Sequence, residues 1–390
     1  MCTNLALVSF GRWSSIWEKR IKYFSSNVEK LTLYRATDEK IEFNIPENVT
    51  IVNLGTNRRT YLIPFYMISC VLLIIYHYFA RGEKFDIIHS IDYYGGPLCA
   101  VLISNIMDVN SIVSMRGLPK QITPEYLENS QNTFKYKLHV IQATIIIYYR
   151  YILPYANIVH FKSDSGINYL EKNCGINLPE TEVIPTGVDM ELFNNPTSNL
   201  SFLKEYLSAG DIRKIYNEKT LLYAGRISEG KGIHNLITHQ KESDIEFSLV
   251  IVGEPNSPAG QDIHREIKEV ERNESNILYI DEFLPHEQIP PIIKACDYVS
   301  LLSTYSDEGA PRIIQEALIL NTRCIVSNRP GIREPFSDLS GCAVIEPSNT
   351  DGFEDALLKL EDQVVESQEA KSRFNMKNNY ESLTSLYEDR

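Results

Sequence analysis

Two short stretches of the chain carry residue types suited to a charged, hydroxyl-rich ligand. The first is YAGRISEGKGI, residues 223–233. It reads as a strand ending at Ala224, a loop with Gly225, Gly230 and Gly232, and the start of a helix. The loop holds Arg226 and Lys231, five residues apart. A diphosphate needs cations held close, and glycines let backbone amides approach it. An ordinary strand-to-helix loop with two solvated cations would carry the same residues.

The second stretch is SDEGAPRIIQEALIL, residues 306–320. Pro311 suits the first turn of a helix and Asn321 suits its end. Glu308 falls just before that helix and Glu316 on its second turn. Gly309 and Ala310 offer backbone N–H groups at the helix N-terminus, where anions bind. Glu316 is flanked by Ile313, Ile314, Ala317 and Leu318, so it is not simply a solvated acid, and it suits a role as acceptor from vicinal hydroxyls. The set fits a sugar nucleotide, with phosphates on cations and amides and hydroxyls on carboxylates. A capping acid followed by a helix glutamate is the plainer alternative.

Other positions follow strands and so face the crevice where open α/β sheets bind ligands. In the first half these are Gly11 with Arg12, and Arg116 with Gly117. In the second half they are Gly253-Glu254-Pro255 and Asp-Glu-Phe-Leu at 281–284, which ends at Leu284. EVIPTGVD at 182–189 reads as a strand and turn between the halves. His89 ends a strand and reads as structural. No HExxH, P-loop or GxSxG pattern occurs in the sequence, which leaves zinc protease, P-loop and α/β-hydrolase chemistry unsupported.

The elements that must position these residues alternate strand and helix. Strands are expected at 5–9, 28–34, 49–54, 85–89, 111–115, 158–161 and 182–184. A second series is expected at 220–224, 247–252, 277–280, 298–302 and 324–327, with helices at 290–295 and 311–320 between them. That rhythm predicts two doubly wound α/β domains with parallel sheets. The expected division is 1–195, a polar linker at 196–218, 219–365, and a C-terminal helix within 366–390. On that helix Tyr380, Leu383, Leu386 and Tyr387 share one face.

The chain has 390 residues and a formal net charge of −13, which disfavours a general nucleic-acid binder. Residues 1–195 hold 18 basic and 18 acidic residues, so the whole excess, 33 acidic against 20 basic, lies in 196–390. Seven widely spaced cysteines without a CxxC suggest reduced thiols rather than a disulfide framework or zinc site. No charged and then apolar leader opens the sequence, so the expected setting is cytoplasmic.

The neutral half has two long apolar runs. Residues 61–80 contain no Lys, Arg, Asp or Glu and have Arg58, Arg59, Arg81 and Lys84 at their ends. By length the run could cross a bilayer, lie in its surface, or pack as a buried helix. Residues 138–153 form a second run near Lys135, Lys137 and Arg150. Two such runs favour a peripheral membrane face on the N-terminal domain, at the inner side of a membrane.

The motifs taken together resemble the retaining glycosyltransferases of family 4. The residues that carry the resemblance are VIPTGVD at 183–189, YAGRISEGKGI at 223–233, the Glu308-x7-Glu316 pattern, and SNRPGIRE at 327–334. The resemblance implies a GT-B fold, with two facing Rossmann-like domains, a central cleft and a C-terminal helix crossing back to the first domain. It implies a hexosyltransferase (EC 2.4) that moves a sugar, with retention, from a nucleotide-diphosphate sugar to a glycan or lipid-linked acceptor. UDP- or GDP-sugars are the implied donors, with no tightly bound cofactor and no required metal. Arg226 and Lys231 would neutralise the leaving diphosphate, and Glu316 would hold the ribose. Glu308 would sit by the transferred sugar, with Gly309, Ala310 and Pro311 beside it. Gly11, Arg116, Glu254 and Leu284 would complete the donor site. The family often has His where this chain has Arg116, two glycines where it has Gly11 alone, and Gly where it has Glu282. Two rival readings remain: a sugar-nucleotide epimerase of the same fold, and a non-catalytic binding protein.

Overall fold

The computed structural model describes residues 3–10, 16–37, 39–41, 43–55, 63–92, 95–115, 117–118, 122, 135–194, 196–197, 199–305 and 308–387. The chain forms two compact units. One is Met1–Pro185 with Lys377–Arg390, and the other is Thr186–Met376.

The first unit is built on seven parallel strands in the order β3-β2-β1-β4-β5-β6-β7. They are β1 Asn4–Ser9, β2 Lys30–Ala36, β3 Val49–Gly55, β4 Ile87–Ser90, β5 Asn110–Met115, β6 Ile158–Phe161 and β7 Glu180–Val183. Strands buried on both faces should read as nearly continuous apolar runs, and β1 has five buried residues out of six. Four helices are α1 Ile16–Ser26, α2 Ile63–Arg81, α3 Gly96–Met107 and α4 Lys135–Ile152. Ala6, Val8, Ile88, Val113 and Val159 share one core with the inner faces of α2, α3 and α4.

The opposite side of the sheet meets α1 and the C-terminal helix Met376–Ser385. Tyr380 stacks on Tyr23 at 5.4 Å and meets Phe24 edge-on at 5.3 Å. Its hydroxyl accepts from Arg20 Nε at 2.8 Å. The buried face of this helix is Tyr380, Leu383, Thr384 and Tyr387. Leu386, expected on that face, is only half-buried, because the 3.6-residue period turns i+4 rather than i+6 toward the sheet.

A buried chain of hydrogen bonds ties this helix to three strands. Ile184 O can only accept, so His160 Nε2 donates to it at 2.8 Å. His160 Nδ1 then accepts from Ser114 Oγ at 2.8 Å. Ser114 Oγ accepts from His89 Nε2 at 2.7 Å, and His89 Nδ1 accepts from Tyr387 OH at 2.6 Å. With both imidazoles neutral, this one fixed acceptor sets both tautomers. His89 is fully buried and its pKa is pushed down to about 3, first by burial and then by His160. Its structural reading holds.

The second unit is built on six parallel strands in the order β10-β9-β8-β11-β12-β13. They are β8 Thr220–Ala224, β9 Ser248–Val252, β10 Ile277–Ile280, β11 Tyr298–Leu301, β12 Arg323–Ser327 and β13 Cys342–Ile345. The sequence pattern missed β13, a four-residue edge strand with only alternate residues buried. Its helices include α5 Ala209–Asn217, α6 Ile233–Glu242, α7 Pro258–Asn273, α8 Ile289–Ala295, α9 Arg312–Ile319, α10 Pro330–Phe336 and α11 Thr350–Glu361.

The unit boundaries fall at Pro185/Thr186 and Met376/Lys377, not at 195 and 365. Residues 196–218, expected as a linker, fold with the second unit. There α5 buries Ile212 and Ile215, and Ser208 caps it by accepting from Asp211 N at 3.2 Å. At nine residues the helix is shorter than the window over which periodicity is read. VIPTGVD forms the entry to this unit. Val188 N donates to Phe374 O at 2.7 Å and Met376 N donates to Val188 O at 2.9 Å, so entering and leaving segments pair. Gly187 has φ +76°, and a Cβ there would lie 2.7 Å from Met376 Cα. Only glycine allows that approach.

Candidate functional site

The strand order of the second unit reverses between β8 and β11. Ligands of open α/β sheets bind outside the carboxyl ends of the strands at such a point. Both chemistry-bearing stretches emerge there, one after β8 and the other after β11.

The glycine-rich loop after β8 is seated on the segment that follows β11. Gly230 O accepts from Thr304 N at 2.8 Å and from Ser303 Oγ at 2.9 Å. Gly232 has φ +78°, and a Cβ there would stand 2.1 Å from Leu302 O. On its other flank the loop meets the turn after β9, where Ile227 N donates to Glu254 O at 3.0 Å. Tyr223, buried at the end of β8, donates its hydroxyl to Arg226 O at 2.8 Å. Burial raises its pKa well above the ordinary phenol range, so the proton needed for that bond stays on.

This seating brings Lys231 to Glu308, and the ammonium donates to Glu308 Oε1. The two side chains are 15% and 18% exposed, so the pair sits at the surface of the crevice. Arg226 is exposed, and its side chain has no partner among the described residues. A fixed cation bridged to a carboxylate and a second, solvated cation thus share one loop.

Glu316 lies on α9 with a side chain 5% exposed. It was expected as a group ready for hydroxyls, but it already has protein partners. Oε1 is 2.9 Å from His286 Nε2 and 3.2 Å from Arg312 Nη2. The Arg312–Glu316 pair follows the i, i+4 geometry of a helix. Burial leaves a carboxylate few alternatives to such partners. His286 also packs on Phe193, ring centroids 5.6 Å apart. Sequence reasoning missed both His286 and Arg312. The i, i+4 spacing pointed to Arg312, while His286 had only its position in the loop after β10.

Three other expectations change. Ala310 was to present a bare amide, but its N–H donates to Gly331 O at 2.9 Å. Gln315 Nε2 donates to Ala310 O at 2.6 Å, and Ala310 is held at φ +44°. The Ala310 amide is therefore not open to an anion, while Gly309 is half-exposed beside Glu308. Leu284 is 4% exposed and belongs to the unit's core; its neighbour Phe283 is the exposed side chain, at 76%. Glu254 has an exposed side chain, and its carbonyl accepts from the loop. Pro311 immediately precedes α9, as expected.

Gly11 and Arg116 lie outside the described residues. In the first unit the matching reversal is between β1 and β4. There Asp92, 6% exposed, accepts from Phe10 N at 3.1 Å and Gly96 N at 3.0 Å. It ties the end of β1 to the start of α3, another position the sequence did not signal. Among the described residues no cluster of three His, Cys, Asp or Glu side chains is placed to hold a metal ion.

Comparison with solved structures gives the architecture a name. Over 99% of its length the chain matches 98% of sucrose-phosphate synthase from Thermosynechococcus elongatus, with a TM-score of 0.75 and 15% identity. The fold is GT-B. The Anabaena protein HepE, solved with UDP and glucose, matches over the full length of both chains with a TM-score of 0.69 and 15% identity. An E. coli structure described as trehalose-6-phosphate bound with UDP-2-fluoro glucose matches with a TM-score of 0.69 and 12% identity over 100% of this chain and 99% of that one. Residues 210–381 match the family model for glycosyl transferases group 1, so the site described here lies within that match. Alpha-monoglucosyldiacylglycerol synthase of Streptococcus pneumoniae is 29% identical over 163 residues, 41% of this chain and 35% of that protein. The match thus spans about a third of that relative's length.

Proposed function

We propose that this GT-B protein is a retaining glycosyltransferase of family 4, moving a hexosyl group from a nucleoside diphosphate sugar to a glycan or lipid-linked acceptor. The observation that carries the reading is the Lys231–Glu308 pair beside Arg226, set where β8 and β11 diverge. In the reaction the bond from the anomeric carbon to the diphosphate oxygen breaks, and its electron pair leaves with the diphosphate. Arg226 and Lys231 stabilise that charge, a role strengthened where water is excluded. The anomeric carbon bonds to an acceptor hydroxyl, whose proton departs with the leaving diphosphate. Glu308, beside Lys231, orients the transferred sugar. Glu316, held by Arg312 and His286, accepts from the ribose hydroxyls. Two neighbours of the fold were solved with UDP or a UDP-sugar, which makes UDP the first nucleotide to test. With two cations on the loop, the reading requires no divalent metal.

Calorimetric titration with UDP, GDP, ADP and CMP, first with a chelator and then with Mg²⁺, tests this directly. One diphosphate should bind without metal, and the matching sugar nucleotide should lose its sugar only when acceptor is supplied. Conversion of the sugar nucleotide without acceptor would favour an epimerase, and binding of none of the four would overturn the donor-site reading.

A further inference from the structure

We propose that the outer face of α2, α3 and α4 docks on the surface of an anionic phospholipid bilayer. These helices are neighbours over one side of the first sheet. Their inner faces form its core and their outer faces are largely apolar.

The helix α2 has two distinct faces. Tyr66, Cys70, Ile74 and His77 are buried toward the sheet, and Tyr34 OH lies 2.7 Å from His77 Nδ1. Phe65, Ile68, Leu72, Tyr76 and Phe79 point outward and are 51–65% exposed. Their spacing of three and four residues makes one continuous stripe. By length and composition α2 could cross a membrane. Its buried face against the sheet removes the spanning alternative, since a spanning helix would carry the sheet with it. The stripe is instead the outside of a layer.

The layer continues sideways. On α3, Leu102 and Ile106 are 43% and 52% exposed. On α4, Val140, Ile147 and Tyr151 are exposed, as is Tyr155 just beyond it. Contiguous apolar surface of this kind marks a site for a membrane or a partner.

Charge selects the occupant. Residues 63–81, 96–107 and 135–152 contain no Asp or Glu, whereas Arg81 and Arg150 lie in the last turns of α2 and α4. In a chain of net charge −13, an acid-free layer is matched to anionic headgroups. A second copy meeting the same face would set cations against cations. The aromatic edge agrees: the Arg81 guanidinium lies 5.5 Å from the centre of the Tyr76 ring, and Tyr151 and Tyr155 are more than 60% exposed. Tyrosine and arginine together suit the headgroup level. The docking stands apart from the transfer reading; where both hold, the acceptor is presented from the membrane.

The test is co-sedimentation of the full chain with vesicles of phosphatidylcholine alone and of equimolar phosphatidylcholine and phosphatidylglycerol, at low and high salt. The protein should pellet with the anionic vesicles and be partly released by salt. Ile68→Ser/Leu72→Ser/Phe79→Ser should weaken binding at least tenfold with unchanged circular dichroism and thermal unfolding. Ile147→Ser/Tyr151→Ser, on a different helix, should do the same, and Val364→Ser in the second unit should not. Failure of the folded wild type to bind either vesicle overturns the proposal. So does vesicle binding that survives both sets of substitutions, or a dimer abolished by them in a protein that ignores vesicles.

Discussion

In the second unit, the loop after the first strand and the segment after its switch-point partner meet through Gly230 and Gly232, and an ion pair stands at the meeting. In the first unit the equivalent position is spanned by Asp92, whose oxygens cap backbone amides of its own scaffold. The outer surfaces differ in the opposite sense. The second unit covers its sheet with polar helices such as α7, whose buried residues are only Gly260, Ile263 and Ile267. The first unit leaves apolar stripes on three helices in the open. One architecture thus carries charge chemistry in one copy and an apolar face in the other. Function has to be read from the decoration rather than from the shared strand order.

The largest expected effect falls on the loop that makes the second unit different. Gly232→Ala forces a Cβ to within 2.1 Å of Leu302 O at φ +78°. Strain plus backbone displacement should cost about 3 kcal/mol or more, read as a lower midpoint in denaturant. Nucleotide binding should fall with it. A fully stable Gly232→Ala protein would show that the loop is not seated as described.

Lys231→Ala leaves the loop folded and removes its anchored cation. Loss of one charged hydrogen bond is worth about 1.5–3 kcal/mol, so kcat/KM with the donor sugar should fall by about tenfold to 150-fold. Arg226→Ala, which removes an exposed side chain, should cost less. A larger loss at Arg226 would move the centre of the diphosphate site. Glu316→Gln should weaken nucleotide affinity by about 1–2 kcal/mol, since it removes the buried charge that Arg312 and His286 hold in place. Unchanged affinity, measured by calorimetry, would assign that triad to stability alone.

The first unit has its own sensitive element, and it responds to pH. Above pH 6.5, His89 is neutral in both folded and unfolded chains and contributes no pH dependence. Below that, the unfolded chain takes up a proton that the folded chain refuses until about pH 3. Stability should therefore fall as pH drops below 6.5, by about 1.4 kcal/mol per pH unit from this group. Denaturant unfolding at pH 7.5, 6.5 and 5.5 measures the slope, and His89→Gln should reduce it. The remainder includes His239 of the second unit, which burial shifts in the same direction. An unchanged slope in His89→Gln would show that His89 is solvated.

Much of this was legible in local sequence. Runs such as SLVIV at 248–252 are fully buried in β9, and a buried parallel strand has no other way to be written. Lys231 and Glu308 were both recognisable from their loops. Their pairing across 77 residues was not, because it depends on where Gly230 O and Leu302 O lie. Ala310 shows the converse. Its position before a helix promised a free amide, and a carbonyl 21 residues later took it. The apolar run at 61–80 announced an unusual helix, but periodicity alone could not tell which side met the sheet. Only packing separated Cys70 and Ile74 from Ile68 and Leu72. The residues at 196–218 failed for a related reason: their nine-residue helix is shorter than the window over which periodicity is read.

The smallest predicted effect tests how the C-terminal helix is held. In Tyr387→Phe the ring stays between its neighbours, including His89 at 5.8 Å, and only the hydroxyl is lost. His89 Nδ1 then has no donor, because Nε2 must keep its proton for Ser114 and the rest of the chain runs to Ile184 O. The cost is that of one buried acceptor left unpaired, about 1–2 kcal/mol. The imidazole has one escape, which is to protonate Nδ1 and become a cation, and burial opposes it. Because the folded chain keeps His89 neutral down to about pH 3, the variant should lose the same stability at pH 7.5 and at pH 5.5. No deficit at either pH would place the hold on the helix in ring packing, not in the hydrogen-bond chain. That outcome would remove the reason for two histidines and a serine lying buried in line beneath the C-terminal helix.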